Sequence, residues 1–254
     1  MPEFALGPSE EAGLFKRLGE IFRSPRASGG PLEGGASAAH EYKGLVPERG
    51  EATLHLGPPK GVPLDAPFGS RLVSPSYGDR IWGEYVEKMA GGHYMAIDTY
   101  SSNERYINRY LRDTGYFDRL EPVWGMAPTI RDLTLKQVQA IREVMRLRPV
   151  PDTIDVFRGV KMKPDLFTVP IEELPGTIQR DPAFLSTNLG DRPAYERDVI
   201  LHLRVPEGTP GFYIEPISKM GEHELLLDAG RSWFAEDVLR RERQWHVYGW
   251  VLPD

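Results

Sequence analysis

Glu222 and Glu224 stand two residues apart in Gly221-Glu222-His223-Glu224-Leu225-Leu226-Leu227, at the mouth of an apolar run. Read as a strand, the segment puts both carboxylates and Leu226 on one face, with the two acids roughly 6–7 Å apart along the backbone. Two acids sharing one site suit a reaction in which one stabilises a developing cation and the other takes a proton from a basic nucleophile. Acid-x-acid also occurs on many solvated strand faces, so the pair needs support from elsewhere. In Ile154-Asp155-Val156-Phe157-Arg158-Gly159, Arg158 shares strand parity with Ile154 and Val156, which places a guanidinium at the end of an inward-facing row. A charge there needs an anionic partner, either a nearby Asp or Glu or a bound ligand. Phe184-Leu185-Ser186-Thr187-Asn188 is an apolar entry followed by small polar residues, which on its own reads as a strand end running into a turn.

The elements that must carry these residues follow from periodicity. Between Tyr77 and Arg148 the apolar period is helical: Trp82, Tyr85, Val86 and Met89 share one face, and Leu135, Val138, Ile141 and Met145 another. Thr134 followed by Gln137 resembles a capping box, and Pro149 and Pro151 stop that helix. From Thr153 the pattern turns to short strands, predicted at 153–159, 183–187, 198–205, 212–217, 222–227 and 244–252. Helices followed by strands predict an α+β fold, with a helical layer preceding the sheet. Residues 1–74 are rich in Gly, Pro, Ser and Ala and read as a largely irregular arm or linker, with one short possible helix at 10–22; residues 75–254 hold the patterned elements.

Composition narrows the classes. At 254 residues the chain can bury a sizeable core. Its net charge of −6 argues against a general phosphate-backbone binder, so nucleic acid is not the expected partner. No apolar run is long enough to cross a bilayer, and the first residues lack the basic-then-apolar order of a secretory signal. With no cysteine there is no thiolate metal site and no cysteine nucleophile, and the six scattered histidines lack ligand spacing, so no metal is expected. Walker-type, Gly-x-Gly-x-x-Gly and Gly-x-Ser-x-Gly motifs are also missing.

Arg158, then Phe184-x-Ser186-Thr187, then Glu222-x-Glu224, in this order and each on a predicted strand, resemble the Arg-Ser-Glu signature of the mono-ADP-ribosyltransferase toxins. The likeness is closest to the arginine-modifying branch, which includes the enzymatic components of binary actin-modifying toxins. Val199 to Thr209 is similar to the family's strand ending in Val-Pro-x-Gly, and Tyr100-Ser101-Ser102 and Ile107-Asn108-x-x-Leu111-Arg112 are similar to its upstream elements. Two departures stand out: the family's Ser-Thr-Ser reads Ser186-Thr187-Asn188, and its Tyr-Thr-Gly reads Tyr-Ser-Ser.

The resemblance implies an ADP-ribosyltransferase fold whose core is two packed, mainly antiparallel sheets. It implies NAD as the substrate, cleaved to release nicotinamide, with no metal. Glu224 would stabilise positive charge on the ribose, Ser186 would orient Glu224, and Arg158 would bind the dinucleotide. Tyr195 would stack on nicotinamide and Arg197 would reach a phosphate, while Tyr100, Asn108 and Arg112 are secondary contacts. Glu222 would face an arginine acceptor on a target protein, with actin one such target, and the arm at 1–74 would offer a surface for a delivery component. Such a chain would be secreted or delivered into a target cell and act in its cytoplasm. An NAD glycohydrolase and a catalytically inactive NAD- or partner-binding module are alternatives on the same scaffold.

Overall fold

The computed structural model describes residues 71–119, 127–163 and 166–253. The arm read at 1–74 lies almost wholly outside them, as does the short helix at 10–22. Among the described residues, a two-residue strand β1 (Arg71–Leu72) is followed by the helices α1 (Pro75–Glu87), α2 (Gly91–Arg112) and α3 (Ala127–Leu147). Pro75 opens α1, where its missing N–H costs nothing. Buried Trp82 ties the end of α1 to the end of α3 by donating from Nε1 to the Arg148 carbonyl, 3.2 Å away. α2 is kinked at Asn103, whose φ of −137° is non-helical and whose amide donates to the Thr99 carbonyl.

Two expectations for α3 are corrected. Thr134 lies inside the helix and not at its start: its hydroxyl donates to the Ile130 carbonyl four residues back, while Gln137 reaches across to the Ala96 carbonyl. A Thr-x-x-Gln spacing cannot tell a cap from two buried polar residues each satisfied by a carbonyl. Leu135 is exposed, whereas Val138, Ile141 and Met145 are buried.

The strands are β2 (Ile154–Val160), β3 (Ile178–Arg180), β4 (Leu185–Asn188), β5 (Val199–Val205), β6 (Gly211–Tyr213), β7 (Glu224–Leu227), β8 (Ser232–Arg241) and β9 (Gln244–Val251). Between β6 and β7 lies one helical turn, α4 (Glu215–Ser218). The expected run 212–217 therefore splits, because Pro216 has no N–H to give a ladder and sits instead in the first turn of a helix. β8 escaped the sequence reading because a bulge between Ala235 and Asp237 breaks its alternation: Trp233, Phe234 and Ala235 are buried in succession.

The expectation of two packed sheets is also corrected. The strands form one hydrogen-bonded sheet in the order β3-β8-β9-β5-β2-β4-β7-β6, with β1 beside β2. Pairing is antiparallel except for β1–β2 and β5–β9. Continuity runs through β2, whose Phe157 pairs with His202 of β5 on one edge and with Asn188 of β4 on the other. Val199, Leu201, Leu203 and Val205 of β5 join Ile154 and Val156 of β2 and the buried faces of the helices in one core.

Candidate active site

Arg158 and Ser186 come from neighbouring strands, and the structure brings them together. Arg158 continues the row of Ile154 and Val156, both fully buried, and its Nη1 donates to the Ser186 carbonyl at 2.8 Å. Burial, with Arg112 nearby, pulls the guanidinium below its ordinary pKa, while Asp181, Tyr100 and Glu224 pull the other way. Across the β4–β7 pair, Asn188 stands opposite Glu224 and Ser186 opposite Leu226, so Ser186 is the diagonal neighbour of Glu224 on one face. The Ser186 side chain lies close enough to the Glu224 carboxyl to lower its pKa. Burial pushes that carboxyl up to about 7; Ser186 and Arg158 oppose the rise, and Glu222 and Glu104 add to it.

Glu222 does not share a strand with Glu224. β7 begins at Glu224, and the preceding turn holds Lys219, Gly221 and His223 at φ of 53°, 71° and 53°. The two acids are brought near each other by this left-handed backbone and not by strand alternation. Strand alternation does not account for the electrostatic effect of Glu222 on Glu224.

Tyr195 and Arg197 lie on the exposed loop between β4 and β5. The Tyr195 hydroxyl donates to Glu222 Oε1, a bond that raises the pKa of the phenol. The Arg197 guanidinium sits 5.3 Å from the centre of the Tyr195 ring. This loop rests on Gly159, where an added Cβ would fall 1.8 Å from the Tyr195 carbonyl oxygen. The residue after Arg158 is thus glycine for a steric reason: any side chain would lift the loop off the strand.

Arg158, Arg112 and Arg197 share a cavity of about 550 Å³ that is also lined by Lys161, Lys163, Arg180 and the carboxylate of Asp181. Arg112 is held there by a two-point bond to Asp181, at 2.9 and 2.7 Å. Arg158 is the residue common to this cationic cavity and to the Ser186–Glu224 pair. Tyr100 is 1% exposed, packed edge-on against Phe184, and its hydroxyl accepts a hydrogen bond from Asn108 Nδ2 at 3.0 Å. It underlies the site and does not open onto it. The other amide atom of Asn108, Oδ1, is buried without a hydrogen-bond partner among the described residues.

A larger cavity, about 660 Å³, lies by Phe157, His202 and Tyr248 and includes none of the predicted site residues. His202 and His246 bond each other there at 2.8 Å, and burial lowers both pKa values, His202 to about 4. Its lining also carries Arg204 and Glu236, which form an ion pair with each other.

Sequence reading missed four contacts near the acids. Glu104, just past the kink of α2, acts electrostatically on Glu222 and Glu224, and burial raises its pKa. Gly159 makes room for the loop. Asn188 and Glu215 bond the backbone of the Glu222 turn. Two of them carry a signal in the sequence: Asn188 as the departure from Ser-Thr-Ser, and Glu215 as an acid preceding Pro216 at the first position of a turn.

Residues 74–238 match the sequence model of the ADP-ribosyltransferase exoenzyme family. The chain belongs to that family. Solved ADP-ribosyltransferase structures share its fold. Plx2a, an ADP-ribosyltransferase toxin from Paenibacillus larvae, aligns at 22% identity and a TM-score of 0.57, over 70% of this chain and 94% of that one. C3stau2 from S. aureus, solved with NAD, aligns at 20% identity and 0.56, over 73% and 99%. The enzymatic component C2-I of the Clostridium botulinum C2-toxin aligns at 20% and 0.55, over 71% of this chain but 47% of C2-I, about half its length. No curated protein matches this exoenzyme-family chain.

Proposed function

We propose that this exoenzyme-family chain transfers ADP-ribose from NAD to an arginine of a target protein and releases nicotinamide, with residues 75–254 as the catalytic unit. One observation carries the reading: Arg158, Ser186 and Glu224 meet around one point, with a second carboxylate, Glu222, beside them. The cavity that Arg158 shares with Arg112 and Arg197 suits the dinucleotide pyrophosphate, whose charge is matched by planar guanidinium donors. A structural neighbour solved with NAD adds support for that substrate.

In this reading the glycosidic bond between ribose C1′ and the nicotinamide nitrogen breaks, and its electron pair leaves with neutral nicotinamide. Positive charge develops on the ribose, and ionised Glu224 stabilises it more in the transition state than in bound NAD. Ser186 fixes the Glu224 rotamer, so that the carboxylate needs no reorganisation during the reaction. A guanidinium nitrogen of the acceptor then bonds to C1′ and gives up a proton, which Glu222 accepts. Tyr195 must release Glu222 before it serves an acceptor, since its hydroxyl holds that carboxylate.

That same hydrogen bond favours a second reading, NAD glycohydrolysis, in which water attacks C1′ while Glu222 stays occupied. The test is to incubate the chain with labelled NAD and cell lysate and to locate the label by mass spectrometry. Label on arginine side chains that vanishes in Glu224→Gln supports transfer to arginine. Free ADP-ribose as sole product, or label on another residue type, overturns it. Glu222→Gln is expected to cut arginine labelling about a hundredfold and nicotinamide release much less; equal losses in both assays would count against the role given to Glu222.

A further inference from the structure

The Glu222 peptide is gripped from both sides. On its amide side, the Glu215 carboxylate accepts three backbone N–H groups: Gly221 at 2.7 Å on one oxygen, and Glu222 at 3.0 Å and His223 at 2.9 Å on the other. Successive N–H groups turned inward by left-handed residues form a concavity that binds an anion, and here the chain supplies its own. On the carbonyl side, Asn188 Nδ2 donates to the Glu222 C=O at 2.7 Å. The other end of the same amide, Oδ1, accepts the Ala194 N–H at 3.0 Å, next to Tyr195.

These bonds hold a backbone that would otherwise be disfavoured. Lys219 and His223 are non-glycine residues at positive φ, a conformation that persists only where surrounding contacts impose it. The direction of the Glu222 side chain is set by that backbone. Asn188 is also the position at which this chain departs from Ser-Thr-Ser. A serine there carries one hydroxyl on one carbon and lacks the two opposed ends that reach Glu222 and Ala194 at once.

We propose that Asn188 and Glu215 are positioning residues that fix where the Glu222 carboxylate stands relative to Glu224. The proposal rests on the arginine-transfer reading for what Glu222 then does, and not for the clamp itself. Neither residue is assigned a contact with NAD, so their loss should fall on kcat for transfer and spare the KM for NAD.

The experiment uses the full chain, labelled NAD and arginine methyl ester as acceptor. Displacing a reacting group by about an ångström costs on the order of a hundredfold, so Glu215→Gln is expected to lower kcat for transfer about a hundredfold and Asn188→Ser about tenfold, with the KM for NAD within about twofold. Nicotinamide release without acceptor should fall several-fold less. In a Glu222→Gln background, Glu215→Gln should add little further loss, because both changes remove the same function. Hydrogen exchange at the amides of 221–223 should be slow in the wild-type chain and fast in Glu215→Gln.

Wild-type transfer by folded Glu215→Gln and Asn188→Ser, fully multiplying losses in the double variant, or unprotected amides in the wild-type chain would each overturn the clamp. So would a loss of transfer matched by an equal rise in the KM for NAD. Should Glu215→Gln fail to fold, Asn188→Ser and Glu215→Asp, which keeps the charge on a shorter arm, carry the same readings. If the wild-type chain labels no arginine while the exchange pattern and the slowed nicotinamide release hold, the acceptor reading falls and the clamp stands.

Discussion

Arg158 and Ser186 reach the site from regular strands, whereas Glu222 reaches it from a turn with three left-handed residues. The strand-borne half is aimed by ladder pairing: Arg158 continues a buried row and Ser186 sits in register across from β7. The turn-borne half has no ladder and is aimed by side chains that grip its backbone. A dinucleotide presents fixed charges that a rigid wall can meet. An acceptor side chain on another protein must be approached by a group that projects beyond the sheet.

The largest effect should come from the residue where the two halves meet. Glu224→Gln removes the charge while keeping the shape, and both transfer and nicotinamide release are expected to fall about a thousandfold, with NAD binding retained; wild-type turnover would take Glu224 out of the chemistry. The same variant tests the electrostatics through stability. The folded pKa of Glu224, about 7, lies above the ordinary 4.5, so the folded state holds more protons than the unfolded state between those values. Stability contributed at this position therefore falls as pH rises from 4.5 to about 7, by roughly 3 kcal/mol. Glu224→Gln should abolish that fall, so its melting temperature relative to the wild-type chain should be higher at pH 8 than at pH 4.5.

A smaller loss is expected at the strand-borne half. Arg158→Lys keeps the charge but loses the planar fork and its bond to the Ser186 carbonyl, and the KM for NAD should rise about tenfold with kcat changed less. A drop in kcat alone would place Arg158 with the chemistry and not with binding. Gly159→Ala acts on the loop between the halves: relieving the clash with the Tyr195 carbonyl costs about 1–3 kcal/mol, which calorimetry should register as a lowered melting temperature with a several-fold weaker NAD affinity. The smallest effect is a shift in a pH profile. Ser186 lowers the pKa of Glu224, so Ser186→Ala should move the acid limb of log kcat/KM upward from near 7, whereas a downward shift would mean that the hydroxyl favours the protonated acid.

How much of this was legible in the sequence divides along the same line. Period-2 patterning located β2, β4, β5 and β9 and gave Arg158 its inward row, because ladders and burial leave a mark in residue order. It misplaced the Glu222 turn, since left-handed backbone at His223 leaves no pattern when the residue is not glycine. Gly159 read as a strand terminus, but its reason is a carbonyl more than thirty residues away in sequence. The bonds of Asn188 and Glu215 are likewise tertiary. Residue types named the chemistry, and only the fold could say which backbone atoms hold it in place.

The sheet's passage from β2 to β4 rests on a single registered pair, Phe157 opposite Asn188. With the Arg158 bond to the Ser186 carbonyl beside it, that rung is where spreading the basic wall from the acidic lip would strain the sheet, leaving the ladders on either side intact. The consequence is mechanical. Amide exchange at Phe157 and Asn188 should respond to NAD more than exchange within β5 or β9, and a uniform response along the whole sheet would mean that the two sides move as one slab.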